Sequence, residues 1–223
     1  MKEKVKNTLT ITPDLIQYCE NHFTDPNPIL QKLRQQTATM PEGHMQITPL
    51  QGQLLAFFVK LIQANRILEI GTYTGYSSLV MAMAMQQGGH ITTCDRNAEW
   101  TKVAKKYWAL VGVDGKITLR LGDALETLEK LVAEKPEPFD MVFIDASKRA
   151  YQTYFEQTFP LVRPGGLLII DNTLWYGFVT DSNTDNENAK LMQKFNNFIR
   201  NHPGIEKTLC GSPTDMFLVV MKK

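Results

Sequence analysis

Apolar and polar positions change their period several times along the chain, and each change marks an element. From residue 66 onward, short apolar runs alternate with longer stretches of helical spacing. That alternation predicts strands joined by crossover helices around a parallel sheet. Arg66–Ile70, His90–Cys94, Lys116–Leu121, Phe139–Ile144 and Leu167–Ile170 read as strands. Between them, helices are predicted from Leu79 to Met85, from Asn97 to Val111, after Gly122-Asp123, and from beyond Asp145 through about Leu161. Gly112 ends the second of these. Thr184-Asp185-Asn186-Glu187 reads as a capping box ahead of an apolar stripe of Leu191, Phe195, Phe198 and Ile199. Ile205–Cys210 and Met216–Met221 flank the turn Gly211-Ser212-Pro213-Thr214, which is short enough to require an antiparallel hairpin.

Ahead of residue 66 the spacing is helical throughout. Thr12-Pro13-Asp14 combines a hydroxyl cap, a first-turn proline and an early acid, with Leu15, Ile16, Tyr18, Cys19 and Phe23 as the apolar side. Asp25-Pro26-Asn27-Pro28 breaks that helix, and a second is expected from Ile29 to about Thr39. Met40–Met45 reads as a loop. Thr48-Pro49-Leu50-Gln51 is a capping box, with Leu50, Leu54, Phe57, Phe58, Leu61 and Ile62 expected to face the core. Residues 1–64 are thus expected to form a helical extension or lid, packed on a core of residues 65–223 within one globular domain.

Composition narrows the class. The charge is nearly balanced, 24 basic against 23 acidic residues, and no basic block suggests a nucleic-acid or membrane-surface partner. Cys19, Cys94 and Cys210 are an odd number and far apart, which suits a reducing compartment. The N-terminal stretch lacks the apolar segment of a signal peptide, and Leu79–Met85 is too short to span a bilayer. A soluble, cytoplasmic protein is expected.

The densest chemistry lies in Arg66-Ile67-Leu68-Glu69-Ile70-Gly71-Thr72-Tyr73-Thr74-Gly75-Tyr76-Ser77-Ser78. A strand ending in an acid, two glycines four residues apart and a hydroxyl-rich helix start make a binding turn of the doubly wound α/β kind. Tyr73 stands where a dinucleotide turn has its second glycine, and no lysine follows Gly75 as in a Walker turn. The remaining pattern, E-x-G-x-x-x-G, resembles the first motif of class I S-adenosylmethionine-dependent methyltransferases. Ser77 could donate its hydroxyl to a cofactor carboxylate, or be a plain helix-start serine.

Asp95, Asp145 and Asp171 close three of the predicted strands, where ligands of open α/β sheets sit. Asp95 lies 24 residues beyond Gly71 and is placed to accept ribose hydroxyls; Gly122-Asp123-Ala124 is placed to line an adenine. Asp145, Asp171 and Asn172 form a hard, all-oxygen set suited to Mg²⁺, or to Mn²⁺ or Ca²⁺. Lys148 follows Asp145 by three positions and can lean over the same site; beside a divalent cation its amine would be pushed toward the neutral, proton-accepting form. Without that acidic context it reads as a solvated helix lysine. Trp175 and Tyr176 could wall an aromatic ring, or serve as core or dimer-contact residues.

From Met45 to the C-terminus the chain resembles the cation-dependent O-methyltransferase family of the caffeoyl-CoA type, related to catechol O-methyltransferase. The matching pieces are EIGTYTGYSS, GDAL, FDMVFIDASK, GGLLIIDNTLWYG and the closing hairpin, in that order. The resemblance implies a mostly parallel seven-stranded sheet with an antiparallel C-terminal strand and helices on both faces. It also implies that Asp145, Asp171 and Asn172 bind the metal and that Lys148 is the base. Glu69, Gly71, Thr72, Ser77, Asp95 and Ala124 would line S-adenosylmethionine, and Ile47 would reach it by its backbone. A homodimer is implied by the same resemblance alone. Ser147 replaces the second aspartate of D-A-D-K, and Ile47 replaces the threonine of plant members, so the plant substrate is not carried over. The acceptor expected is a catechol-type small molecule. The alternatives are an NAD-dependent oxidoreductase, disfavoured by Tyr73, and a non-catalytic S-adenosylmethionine-binding module, for which a metal set has no purpose. A nucleic-acid methyltransferase would need a basic stripe and an N/D-P-P-Y motif.

Overall fold

The computed structural model describes residues 9–24, 27–211 and 216–223. The expected turn at 212–214 and part of the expected break at 25–28 lie outside these residues. Three helices come first, α1 Pro13–Phe23, α2 Pro28–Ala38 and α3 Pro49–Leu61. Each starts on a side chain, Thr12, Asn27 or Thr48, that accepts from a first-turn N–H, with proline where no N–H is needed. Thr48 and Gln51 close the reciprocal capping box.

The alternating part follows as β1 Arg66–Ile70, α4 Tyr76–Ala84, β2 His90–Asp95, α5 Ala98–Val111, β3 Ile117–Leu121 and α6 Ala124–Glu134. It continues with β4 Phe139–Ile144, α7 Tyr151–Thr158, β5 Val162–Ile170, α8 Glu187–Arg200, β6 Ile205–Gly211 and β7 Met216–Lys222. The strands form a seven-stranded sheet in the order β3-β2-β1-β4-β5-β7-β6. β1 to β5 pair in parallel, and β7 is inserted antiparallel between β5 and β6. This is the expected sheet. Its order reverses between β1 and β4, where Ile70 lies opposite Ile144, so a crevice opens just beyond those two residues.

The side chains of each strand alternate between two apolar layers. Ile67, Phe143 and Phe217 pack with α2 to α5 on one face, against Leu33, Leu55, Leu79 and Met81. Leu68, Ile70, Val142 and Ile144 pack on the other, against Phe155, Met192 and Phe195. The cysteines are free, and burial pushes the Cys94 thiol up to about 12. No helix among the described residues is long and apolar enough to cross a membrane.

Several local expectations are corrected. α1 buries no residue, because it rests on α3 rather than on the sheet; Tyr18 and Phe23 stay exposed. α3 is rotated from the expected stripe: Gln51, Gly52, Leu55 and Val59 are buried, Leu54, Phe58 and Ile62 are half-buried against the same layer, and Phe57 and Leu61 are exposed. Gly52 explains the rotation: a Cβ there would stand 2.8 Å from the Tyr76 ring, so α3 seats its smallest residue on α4. The helix expected through Leu161 is regular only over Tyr151–Thr158, with tighter 3₁₀ turns at Lys148–Ala150 and Phe159–Leu161. β5 begins at Val162 rather than Leu167, since Val162 already pairs with Phe139 before a register shift. α8 is capped by Asn186, which accepts from Ala189 N–H, while Thr184 accepts from Asn186 N–H. The residues it buries are Ala189, Met192, Phe195 and Ile199; Leu191 and Phe198 are half-buried.

Candidate active site

The crevice is built on one close approach. Gly71 has φ +99°, and a Cβ there would fall 1.9 Å from the Asp145 carbonyl oxygen. The glycine is therefore required by the neighbouring strand end, because any side chain would force the loops after β1 and β4 apart. Gly71 N–H donates to Cys94 O and Asp145 N–H to Ile70 O, each at 2.9 Å, which ties the ends of β1, β2 and β4 together. Gly75 caps α4 in the left-handed region, with the Ala104 Cβ 2.5 Å from where its own would be. Tyr73 packs edge-on to Trp100 with ring centroids 5.0 Å apart.

Asp95 fastens the binding turn to β2. Its Oδ2 accepts from Thr72 N–H at 3.1 Å and Tyr73 N–H at 2.7 Å, and its Oδ1 from Asn97 N–H at 2.8 Å. Beneath the turn lies a buried polar knot. Glu69 accepts from Ser77 Oγ on one carboxylate oxygen and from Thr93 Oγ1 on the other, both at 2.5 Å, and Thr93 Oγ1 lies 2.6 Å from Thr72 Oγ1. Ser77 thus directs its hydroxyl at Glu69. Burial raises the Glu69 carboxyl to about 7, with the Ser77 and Thr93 hydrogen bonds opposing that rise. Ala124 opens α6, where Asp123 accepts from Leu125 and Glu126 N–H and is thus a helix cap. Ile47 is buried, and its carbonyl accepts from Arg34 Nη1, whose guanidinium lies 5.1 Å from the Tyr76 ring centroid.

The acidic end of the crevice lies at β4 and β5, where Asp145 and Asp171 follow the paired residues Ile144 and Ile170. Lys148 Nζ donates to Asp145 Oδ1 at 2.9 Å and to Tyr151 Oη at 2.6 Å. It lies 4.8 Å from the Tyr151 ring centroid and 6.0 Å from that of Trp175. Burial alone would lower its pKa, but Asp145, Tyr151 and Asp171 outweigh that and hold it above the usual lysine range. Lys148 thus pairs as a cation with Asp145, and Tyr151 accepts its second hydrogen bond. Asp171 is buried, with Oδ1 accepting from Asn172 N–H at 2.8 Å and from Gln51 Nε2 at 3.1 Å. Beyond it the chain is strained, with positive φ at Asn172, Trp175 and Tyr176. Trp175 donates its indole N–H to Asn186 Oδ1 at 2.9 Å, while Tyr176 is 73% exposed.

Among the described residues no three His, Cys, Asp or Glu side chains assemble as a metal centre. The donor set is Asp145 and Asp171 with the Asn172 amide next in sequence. Its oxygen chemistry fits a hard divalent cation, and the positive charge that both acids already act on is the Lys148 ammonium.

The family model for O-methyltransferases matches residues 20–222. The chain belongs to the O-methyltransferase family. It is 38% identical over 200 residues to a probable caffeoyl-CoA O-methyltransferase of Dictyostelium discoideum, covering 87% of this chain and 86% of that one. It is 35% identical over 163 residues to the catechol O-methyltransferase of Niastella koreensis, covering 73% and 74% of the two. Among solved structures, the Bacillus cereus O-methyltransferase in complex with SAH superposes with a TM-score of 0.86 at 29% identity, over 94% of this chain and 97% of that one. A Streptomyces achromogenes O-methyltransferase involved in tomaymycin synthesis, in complex with SAM, gives 0.84 at 28% identity, over 94% and 96%.

For this O-methyltransferase, sequence reasoning passed over four residues at the crevice. Tyr151 lies three positions beyond Lys148, the same spacing that singled out Asp145. Thr93 is opposite Glu69 in the β1–β2 register, which no local pattern reveals. Arg34 carried no motif, and Gln51 read only as half of a capping box.

The Glu69 knot has a pH signature. Its carboxyl titrates near 4.5 when unfolded and near 7 when folded, so between those values the folded state holds the extra proton. Stability is therefore greatest below the unfolded value and falls as pH rises through about 7. The Glu69→Gln variant should lack this component, on the order of 3 kcal/mol. Urea unfolding at pH 5 and pH 8 checks it: equal pH slopes in the variant and the wild type would contradict a raised Glu69.

Proposed function

We propose that this O-methyltransferase moves the methyl group of S-adenosylmethionine to one hydroxyl of a catechol-like vicinal diol, with a divalent cation held by Asp145, Asp171 and Asn172. The observation that carries this reading is Lys148, half-buried at the switch point and paired with Asp145 at the end of β4. The SAH and SAM complexes of the superposed relatives support the methyl donor.

The donor is expected on the β1 and β2 turns, against Glu69, Gly71, Thr72, Ser77, Asp95 and Ala124, with Ile47 touching it through its backbone. Asp95 is already oriented by three backbone N–H groups, which leaves the second lone pair of Oδ1 for a ribose hydroxyl. The cation, Mg²⁺ foremost and Mn²⁺ or Ca²⁺ by the same chemistry, would supply Lewis acidity toward both diol oxygens. Lys148 takes the hydroxyl proton at Nζ. It can do so once the charge of Asp145 is otherwise engaged and the ammonium has released its own proton to solvent, because Asp145, with Tyr151 and Asp171, now keeps it protonated. Trp175, whose ring centroid lies 6.0 Å from Nζ, would wall the ring, and exposed Tyr176 would sit at its rim. The fold's main service is alignment of hydroxyl, methyl and sulfur.

A homodimer completes the proposal. Phe23, Leu50, Leu54 and Phe57 line one shallow cavity in which Phe23 and Phe57 are exposed, apolar surface that a second copy would cover.

Incubation with methyl-labelled S-adenosylmethionine, Mg²⁺ and a catechol panel should give labelled catechol ethers, with simple phenols and amines unlabelled. Excess chelator should abolish the transfer and added Mg²⁺ restore it; full activity in chelator with metal shown absent would sink the cation-dependent reading. Lys148→Ala should lower kcat by a factor of about 10²–10⁴ while donor affinity, read by calorimetry, stays near wild type. Wild-type turnover at neutral pH would remove Lys148 from the base role. Sedimentation should find a dimer for the wild type and a monomer for Phe57→Asp, and a wild-type monomer would refute the assembly.

A further inference from the structure

The N-terminal helices reach the acidic end of the crevice through one buried side chain. Gln51 is 3% exposed, and its Nε2 donates to Asp171 Oδ1 at 3.1 Å across 120 positions of sequence. Its Oε1 accepts from Thr48 N–H at 2.9 Å. The two contacts admit only one orientation of the amide. Turned over, it would set donor against donor at Thr48 and oxygen against oxygen at Asp171. The carboxamide is therefore clamped at both ends by groups that cannot exchange partners.

This clamp does more than start α3. The cap needs only the Oε1 half of the amide, so a glutamate there would serve it equally well. The Nε2 half serves Asp171. With Asn172 N–H on the same oxygen at 2.8 Å, two donors fix the rotation of the carboxylate within a buried setting. A neutral donor also steadies Asp171 without adding a third negative charge beside Asp145.

We propose that Gln51 is a positioning residue that orients Asp171 for the divalent cation, an inference resting on the cation-dependent reading above. Hydrogen-bond partners of ligating carboxylates typically contribute a factor of about 10–100 in metal affinity. Mn²⁺ binding to the full chain, read by calorimetry without acceptor, tests it. Gln51→Met keeps the volume and removes both amide contacts, and it should weaken Mn²⁺ by about that factor. Thr48→Ala is the control. It removes the hydroxyl that accepts from Gln51 N–H at 3.2 Å but keeps the amide clamp, so it should lower the melting temperature and leave Mn²⁺ affinity at the wild-type value. Unchanged affinity in Gln51→Met would overturn the proposal, and so would an equal loss in Thr48→Ala, which would trace the effect to a loosened helix start. Absence of Mn²⁺ binding by the wild type would refute the cation reading itself, and this inference with it. Should Gln51→Met not fold, the wild type decides: the Gln51 side-chain amide resonances should move on Mg²⁺ titration with the affinity that calorimetry gives for Mg²⁺, and resonances unmoved at saturation would overturn the assignment.

Discussion

The arrangement depends on the approach of two backbones at the point where the sheet changes direction. β1 and β4 are neighbours in space and far apart in sequence, and at their ends the Asp145 carbonyl occupies the volume a Gly71 side chain would need. A sheet that reverses its order must open a crevice there, because the crossovers on either side leave in opposite directions. How narrow that crevice can be is set by the smallest residue at its floor. Glycine lets the turn that carries Asp95's partners and the loop that carries Asp145 and Lys148 meet within one site.

The second constraint is polar burial. Glu69, Thr93, Thr72 and Ser77 lie under the turn, and the acids, Lys148, Tyr151 and Gln51 lie at its far side. A buried charge or hydroxyl is tolerated only with partners, so each of these groups restricts the others. The O-methyltransferase thereby holds its crevice in one shape through hydrogen bonds, while the apolar layers above and below the sheet hold the sheet itself. Lys148 shows the interplay: burial alone would discharge it, and the neighbouring acids keep it charged.

The N-terminal helices are more than a cover. Leu33, Leu55 and Val59 share an apolar layer with Ile67 and Phe143 of the sheet, Arg34 pins the Ile47 carbonyl, and Gln51 touches Asp171. Gln51 is the third residue of α3, so the cap that begins this helix also sets its contact with Asp171.

By itself the sequence determined what is local. Caps at Thr12 and Thr48, the turn glycines Gly75 and Gly112, and the alternation of apolar runs with helical spacing follow from neighbours a few positions away, and they made the sheet and the acids at its strand ends legible. The O-methyltransferase motifs were legible for the same reason, being short and contiguous. Tertiary structure decided which face each helix buries: α3 follows Gly52 onto Tyr76, which leaves Phe57 and Leu61 outside, and α1, packed on α3, half-buries Leu15, Ile16 and Cys19 and leaves Tyr18 and Phe23 open. It also decided the partners of the buried polar groups. Thr93 meets Glu69 through strand register, and Gln51 meets Asp171 across 120 residues. Hydrogen bonds of that kind depend on where whole elements come to rest, and no periodicity within an element encodes that.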